Sequence, residues 1–166
     1  MRVLITNDDG IFSVGIRSLW TEIVKVADEV YVVAPDSERS ACSQSITVHQ
    51  PIRVEEYHVS DKPEIKAWAV AGTPTDCVKI AIDALQLTPD IIVSGINHGP
   101  NLGTDVLYSG TVSAAIEGAL YGIPSVAVSL NSRKQDNMLA AAVFTRDFLP
   151  LMSRNTLPPN TLLNIN

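Results

Sequence analysis

Runs of consecutive apolar residues alternate with helical apolar spacing along most of this chain. Val3-Leu4-Ile5 is followed by Ile16, Leu19, Trp20, Ile23, Val24 and Ala27, and then by Val30-Tyr31-Val32-Val33-Ala34 before Pro35. Continuous apolar runs fit strands buried on both faces, and the i, i+3, i+4 spacing over 13–27 fits an amphipathic helix. The two runs and the helix therefore read as a βαβ unit with parallel strands and a right-handed crossover. Short extended segments at 46–48 and 52–57 flank Pro51 as a β excursion, and 65–70 is a further strand ending at Gly72. Thr73-Pro74-Thr75-Asp76 opens a helix that runs to about Leu85, with Thr73 as cap and Pro74 in the first turn. After Pro89 the pattern predicts a strand over 90–94, an aperiodic Gly-, Asn- and Pro-rich loop over 95–109 and a small-residue helix over 110–121. A strand over 124–130, a helix over 136–152 and a last strand over 162–165 complete the alternation. The expected fold is α/β, a doubly wound, mostly parallel sheet with helices on both faces.

Composition narrows the classes. A chain of 166 residues with no internal repeat or linker suits one domain over 1–166 with a sizeable core. With 46% apolar and 18% charged residues, disorder is not expected. A net charge of −6 argues against a nucleic-acid polymer as partner, which calls for clustered Lys and Arg. No apolar run approaches a membrane span, and the N-terminus enters a strand without a secretory signal, so a cytoplasmic address is expected. Cys42 and Cys77 show no disulfide or metal spacing.

Candidate chemistry gathers where strands end, since parallel α/β topology brings their carboxyl ends together. Asn7-Asp8-Asp9-Gly10 follows the first strand directly. Adjacent carboxylates there repel unless a cation or a shared proton compensates. The second strand is followed by 37–43 with Ser40, and the 90–94 strand by Gly95-Ile96-Asn97. Carboxylate, hydroxyl and amide oxygens are hard ligands that suit Mg²⁺, Mn²⁺ or Ca²⁺ better than zinc. The plain alternative for Asp8-Asp9 is a polar turn and helix cap. Tyr108-Ser109-Gly110-Thr111 opens a helix whose free N–H groups form an anion seat, with Ser109 or Thr111 doubling as cap.

Five segments resemble the survival protein E (SurE) family: NDDG at 7–10, APDSERS at 34–40, GTPTDCV at 72–78, SGINHGPNLGTDVLYSGT at 94–111 and AAIEGALYGIPSVAVS at 114–129. The resemblance implies a Rossmann-like phosphomonoesterase that hydrolyses nucleoside monophosphates, a 5'-nucleotidase with 3'-nucleotidase and exopolyphosphatase side activities. It implies one divalent ion per subunit, Mg²⁺ or Mn²⁺ with Ca²⁺ as a stand-in in crystals, held by Asp8, Asp9, Ser40 and Asn97. Asp8 and Asp9 carry the catalytic role on this resemblance, and Asn101, Ser109, Gly110 and Thr111 surround the phosphate. A homodimer or homotetramer is the implied assembly. Two departures stand out: Ser13-Val14-Gly15-Ile16 replaces the family's Ala-Pro-Gly-Ile, and Ser40-Ala41 replaces Ser-Gly, which stiffens that loop. Leu163-Asn164-Ile165-Asn166 matches a segment after which members continue, so a C-terminal extension is expected to be missing. That keeps a catalytically impaired metal- or nucleotide-binding module as the alternative.

Other residues weigh less. His98 is placed to donate a proton or to face substrate as a polar group. Arg39 can steer a phosphate or form a surface ion pair, and Cys42 lacks a base to make it a nucleophile. Asp76 complements a helix dipole, Asp105 is an outer acceptor, and Trp20 and Trp68 belong to the core. A signalling receiver domain needs an acid ending its third strand, whereas Asp90 begins one. A haloacid dehalogenase-like phosphatase needs Asp-x-Asp.

Overall fold

The computed structural model describes residues 1–132, 137–155 and 157–166. Arg2–Thr6 (β1), Glu29–Pro35 (β2), Val54–Tyr57 (β3), Lys66–Val70 (β4), Ile91–His98 (β5), Ser125–Leu130 (β6) and Leu163–Ile165 (β7) build one sheet in the order β3-β4-β2-β1-β5-β6-β7. All pairings are parallel except that of β3 with β4. Helices Val14–Ile23 (α1), Pro74–Lys79 (α2), Gly110–Leu120 (α3) and Met138–Arg154 (α4) cover both faces. Alternation along β1 sorts the cores. Val3 and Ile5 pack with Ile16, Leu19 and Ile23 of α1 and with Ala142 and Leu149 of α4. Leu4, between them, packs with Val33, Cys77, Val78 and Ala114 on the α2/α3 side. Each such fully buried aliphatic side chain contributes about 1.5–3 kcal/mol relative to exposure.

The chain runs from β1 through α1 to β2 on one side, and later from α2 to β5 on the other side of β1. Strand order thus reverses at the β1/β5 pair, where the crevice outside the carboxyl ends of an open α/β sheet forms. Arg2 and Asp90 fix the opposite end: the Arg2 N–H donates to Asp90 Oδ2 at 2.7 Å and Nη2 to Oδ1 at 2.7 Å. Asp90 is therefore an ion-paired residue at the amino end of the sheet. That position excludes the phosphoacceptor of a receiver domain.

Several boundaries differ from the sequence reading. Helix α1 stops at Ile23 instead of Ala27, because Asp28 N–H bonds Met1 O at 2.9 Å and draws the chain into β2. The segment 46–48 is not a strand: Ile46 and Val48 are exposed, and Thr47 is tied to Asp76 instead of to a ladder. The helix expected to reach Leu85 is α2 continued by a π-helical turn, Ile80–Ala84. The helix expected over 136–152 is α4, with Asp136 outside the described residues. The largest correction concerns 95–109. Strand β5 continues to His98, and Gly103–Leu107 forms a 3-10 helix, so only 99–102 and 108–109 of that stretch are irregular. Apolar content ends at Ile96, yet Asn97 and His98 still pair with Ser129 and Leu130 of β6. Ile96 is the extra residue of a bulge there. Gly95 makes that possible, since a Cβ at this residue (φ +142°) would lie 2.3 Å from the Val128 carbonyl oxygen. Among the described residues no helix is long and apolar enough to cross a membrane.

Asp76 does more than complement a dipole. Its backbone N–H bonds the Thr73 hydroxyl at 3.0 Å while its carboxylate accepts the Thr73 N–H at 2.9 Å, a reciprocal capping box. The same carboxylate accepts the Thr47 N–H at 2.9 Å and hydroxyl at 2.7 Å. Asp76→Ala is expected to cost about 2–3 kcal/mol in urea denaturation, from the lost cap and the bonds to a buried charge. It should also speed proteolytic cleavage within 45–51, and unchanged cleavage would show that another contact holds that segment.

Candidate functional site

The turn after β1 is built by Asn7. Its Nδ2 donates to Gly10 O at 3.0 Å and to Ser13 Oγ at 2.8 Å, and its Oδ1 accepts the Gly10 N–H at 3.2 Å. An Asn that closes its own turn in this way presents the two residues inside it. Those residues are Asp8 and Asp9. Ser13 in turn caps α1, accepting from Ile16 N–H. The next loop is tied to this one by Arg39 N–H donating to Asp8 O at 2.7 Å and Ile11 N–H donating to Pro35 O at 2.8 Å.

Asp8 is 6% exposed and faces the amino end of α3. Thr111 Oγ1 donates to Asp8 Oδ1 at 2.5 Å. Burial pushes the Asp8 carboxyl above its ordinary pKa, and the Thr111 hydroxyl opposes that shift. A Cβ on Gly110 would stand 2.7 Å from Asp8 Cβ and 3.0 Å from Cys42 Sγ, so only glycine lets α3 come this close. The anion at this helix start is thus Asp8 itself. Ser109 Oγ accepts from Val112 N–H at 3.1 Å as the helix cap.

Asp9 is less buried. Desolvation first, then the charges of Asp8 and Glu38, push its pKa up to about 6. Ser40 donates its hydroxyl to Glu38 Oε1 at 2.5 Å, which leaves the serine oxygen's lone pairs for another partner. Asn97 Nδ2 donates to Gly99 O at 2.8 Å, which leaves its carboxamide oxygen available in the same way. Asp9, Ser40 and Asn97 line one cleft of about 460 Å³ together with Glu38, Phe12, Ser13, Val14, Gly15, His98 and Met138. Asp8, buried and adjacent to Asp9 in the chain, is not part of the lining. The volume is that of a small-molecule site.

Among the described residues no Lys or Arg makes an ion pair with Asp8, Asp9 or Glu38. Arg39 reaches Asp36 at 3.4 Å instead, the surface ion pair among its two expected roles. Among the same residues no three His, Cys, Asp or Glu side chains form a ready-made metal cluster. The donor set is mixed: two carboxylates, a hydroxyl oxygen and an amide oxygen. Crowded carboxylates that pair with no Lys or Arg among the described residues, beside oxygens left with unused acceptor capacity, fit a hard divalent cation. Burial and the Asp8 charge raise the Cys42 thiol pKa, which keeps it protonated and unsuited to attack.

None of the four expected phosphate residues is among the residues lining that cleft. Ser109, Gly110 and Thr111 stand at the buried flank of Asp8. Asn101 makes three bonds: its Nδ2 donates to Ser129 Oγ at 2.8 Å, its N–H to Asn166 Oδ1 at 2.7 Å, and its carbonyl accepts Asn164 Nδ2 at 2.8 Å. Asp105 is exposed within the 3-10 helix. Sequence reasoning missed Glu38, Phe12 and Met138. Glu38 sits two residues before Ser40 in the same turn, a spacing that was there to be read; Met138 reaches the cleft only through the packing of α4.

The family model described as survival protein SurE matches residues 3–166. The chain is 54% identical to the 5'-nucleotidase SurE of Desulforudis audaxviator, aligning over all of itself and 65% of that protein. It is 55% identical to the 5'-nucleotidase SurE of Thermosynechococcus vestitus, over all of itself and 63% of that protein. The crystal structure of Sure protein from Aquifex aeolicus superposes with a TM-score of 0.88 at 36% identity, covering 99% of this chain and 64% of that one. The chain therefore spans under two thirds of the length of these relatives.

Two measurements check the geometry. Ala41, next to Ser40, has φ +53°, a left-handed conformation that costs a non-glycine residue about 1 kcal/mol. Ala41→Gly is therefore expected to leave stability equal or raise it by up to about 1 kcal/mol, whereas glycine substitutions ordinarily destabilise. A clear loss in chemical denaturation would refute the strain. The folded pKa of Asp9, about 6, exceeds its unfolded value, so the folded chain binds the proton more tightly between pH 4 and 6. Ionisation above pH 6 thus costs stability. Asp9→Asn is expected to stabilise the protein in EDTA by about 1–2 kcal/mol at pH 8, discounted for partial exposure, with the gain fading as pH falls from 6 to 4.

Proposed function

Because the chain belongs to the SurE survival-protein family, we propose that it is a divalent-metal-dependent phosphomonoesterase acting on nucleoside monophosphates, a 5'-nucleotidase. The observation that carries this reading is the meeting of Asp9, Ser40 and Asn97, from the ends of β1, β2 and β5, in one cleft. With Asp8, these residues would hold Mg²⁺ or Mn²⁺. A bound cation would polarise the phosphoryl group and supply a water of lowered pKa.

The chain's own residues do the rest. Thr111 donates to Asp8 and so orients that carboxylate before substrate arrives. Glu38 orients the Ser40 oxygen by taking its proton into a hydrogen bond. In the proposal Ser109, Gly110 and Thr111 place the positive end of α3 beside the transferred phosphoryl group, on the Asp8 side. Asn101 shapes the adjoining loop through Ser129, Asn164 and Asn166. His98 lines the cleft, and in the proposal it faces the substrate there as a polar group or donates a proton to the departing alcohol. Cleavage of 3'-nucleotides and short polyphosphates, and assembly as a homodimer or homotetramer, extend the proposal from the family resemblance.

Phosphate release from a panel of nucleoside monophosphates is expected with Mn²⁺ or Mg²⁺ and is expected to vanish in EDTA. Asp8→Asn and Asp9→Asn should each lower kcat/KM by at least about a hundredfold, the scale of losing a group that stabilises transition-state charge. Mn²⁺ binding seen by calorimetry without phosphate release from any nucleotide would replace the enzyme by a binding module. Normal turnover in either variant would overturn the assignment of the carboxylates.

A further inference from the structure

The same cleft has a second chemistry that its oxygen donors leave unexplained. Within three residues the loop after β1 passes from the Asp9 carboxylate to the Phe12 ring, and both line the cleft. Three residues reach at most about 11 Å even when fully extended. Phe12 is 62% exposed although it lies beside a buried core. Its ring meets that of Tyr57 in a T-shape, centroids 5.5 Å apart at 88°, which fixes the plane without stacking a second ring on it. Val14 and Met138 continue the apolar wall.

We propose that Phe12 is the platform on which the alcohol end of the substrate stacks, so that the cleft selects phosphomonoesters whose leaving group carries a flat, uncharged ring. The inference rests on the phosphatase reading above and names the part of the substrate that the wall recognises. A nucleobase presents a π-face and no net charge, and stacking on an aromatic side chain tolerates any base. Phe12 is therefore a specificity-determining residue for ring-bearing over ring-free phosphomonoesters.

The test compares AMP with ribose 5-phosphate in Mn²⁺, taking the ratio of their kcat/KM values. Phe12→Ala is expected to lower that ratio about tenfold, chiefly by raising KM for AMP, and Phe12→Trp to restore it. An unchanged ratio in Phe12→Ala, or no recovery in Phe12→Trp, overturns the platform. If Phe12→Ala does not fold, Phe12→Leu keeps apolar bulk without a ring and is read in the same way. If the wild-type chain releases phosphate from neither compound, the phosphatase reading fails by itself. Calorimetric titration with adenosine then decides the platform: binding about tenfold weaker in Phe12→Ala supports it, and equal or absent binding in both proteins overturns it.

Discussion

Carboxylate crowding is the constraint around which this molecule is organised. Asp8 and Asp9 are consecutive, Glu38 stands close enough to raise the pKa of both, and no basic side chain among the described residues is paired with any of the three. A protein normally disperses such charges or neutralises them with Arg or Lys. Here the surroundings partly stabilise one carboxylate and leave the other in the cleft. Thr111 donates to Asp8, whereas Asp9 retains a proton affinity far above that of a surface aspartate. The arrangement is costly for the folded chain alone and favourable once a cation is shared, which is the usual balance at sites built for ions.

That balance works only if the donors cannot drift apart. The three turns are held by bonds between main chains and not by flexible side chains alone. Arg39 N–H reaches Asp8 O, Ile11 N–H reaches Pro35 O, and Ser43 N–H reaches Tyr108 O. Ser43 Oγ adds a bond to Leu107 O. Strain is tolerated in the same region, with Ala41 and Ser43 both at positive φ. Beneath the turns lies the pair β1 and β5, whose inner residues are fully buried. A rigid two-faced sheet thus carries a rim that is knitted tightly enough to fix oxygen positions.

Much of this was legible in the sequence because burial writes itself in runs of Val, Ile and Leu. β1, β2 and the first half of β5 were plain for that reason, as was the α3 start at Ser109-Gly110. The end of β5 was not, because Ser94 to His98 contains almost no apolar signal and its pairing is dictated by β6. The segment 46–48 misled in the opposite way: β-branched residues there imitate a strand, while Thr47 is bound to Asp76, a tertiary contact no periodicity encodes. Among site residues, Asp9, Ser40 and Asn97 could be grouped because topology brings strand ends together. What could not be read was division of labour: that Thr111 would be spent on Asp8, that Asn101 would be tethered to Ser129, Asn164 and Asn166, or that Phe12 would stand open beside the donors. Those facts depend on distances between segments remote in sequence.

The bulge in β5 carries an implication for how such a site can change over generations. An extra residue lets one strand set two residues against one of its partner without shifting the pairing beyond. Gly95 stands opposite Val128 and Asn97 opposite Ser129, with Ile96 between them and unpaired. Asn97 and His98 therefore keep the faces that β6 assigns them. Loss of one codon at Ile96 would leave an unbroken ladder with both polar residues still in register, at the expense of one fully buried side chain. Lineages can thus vary the packing here while the donors stay aligned.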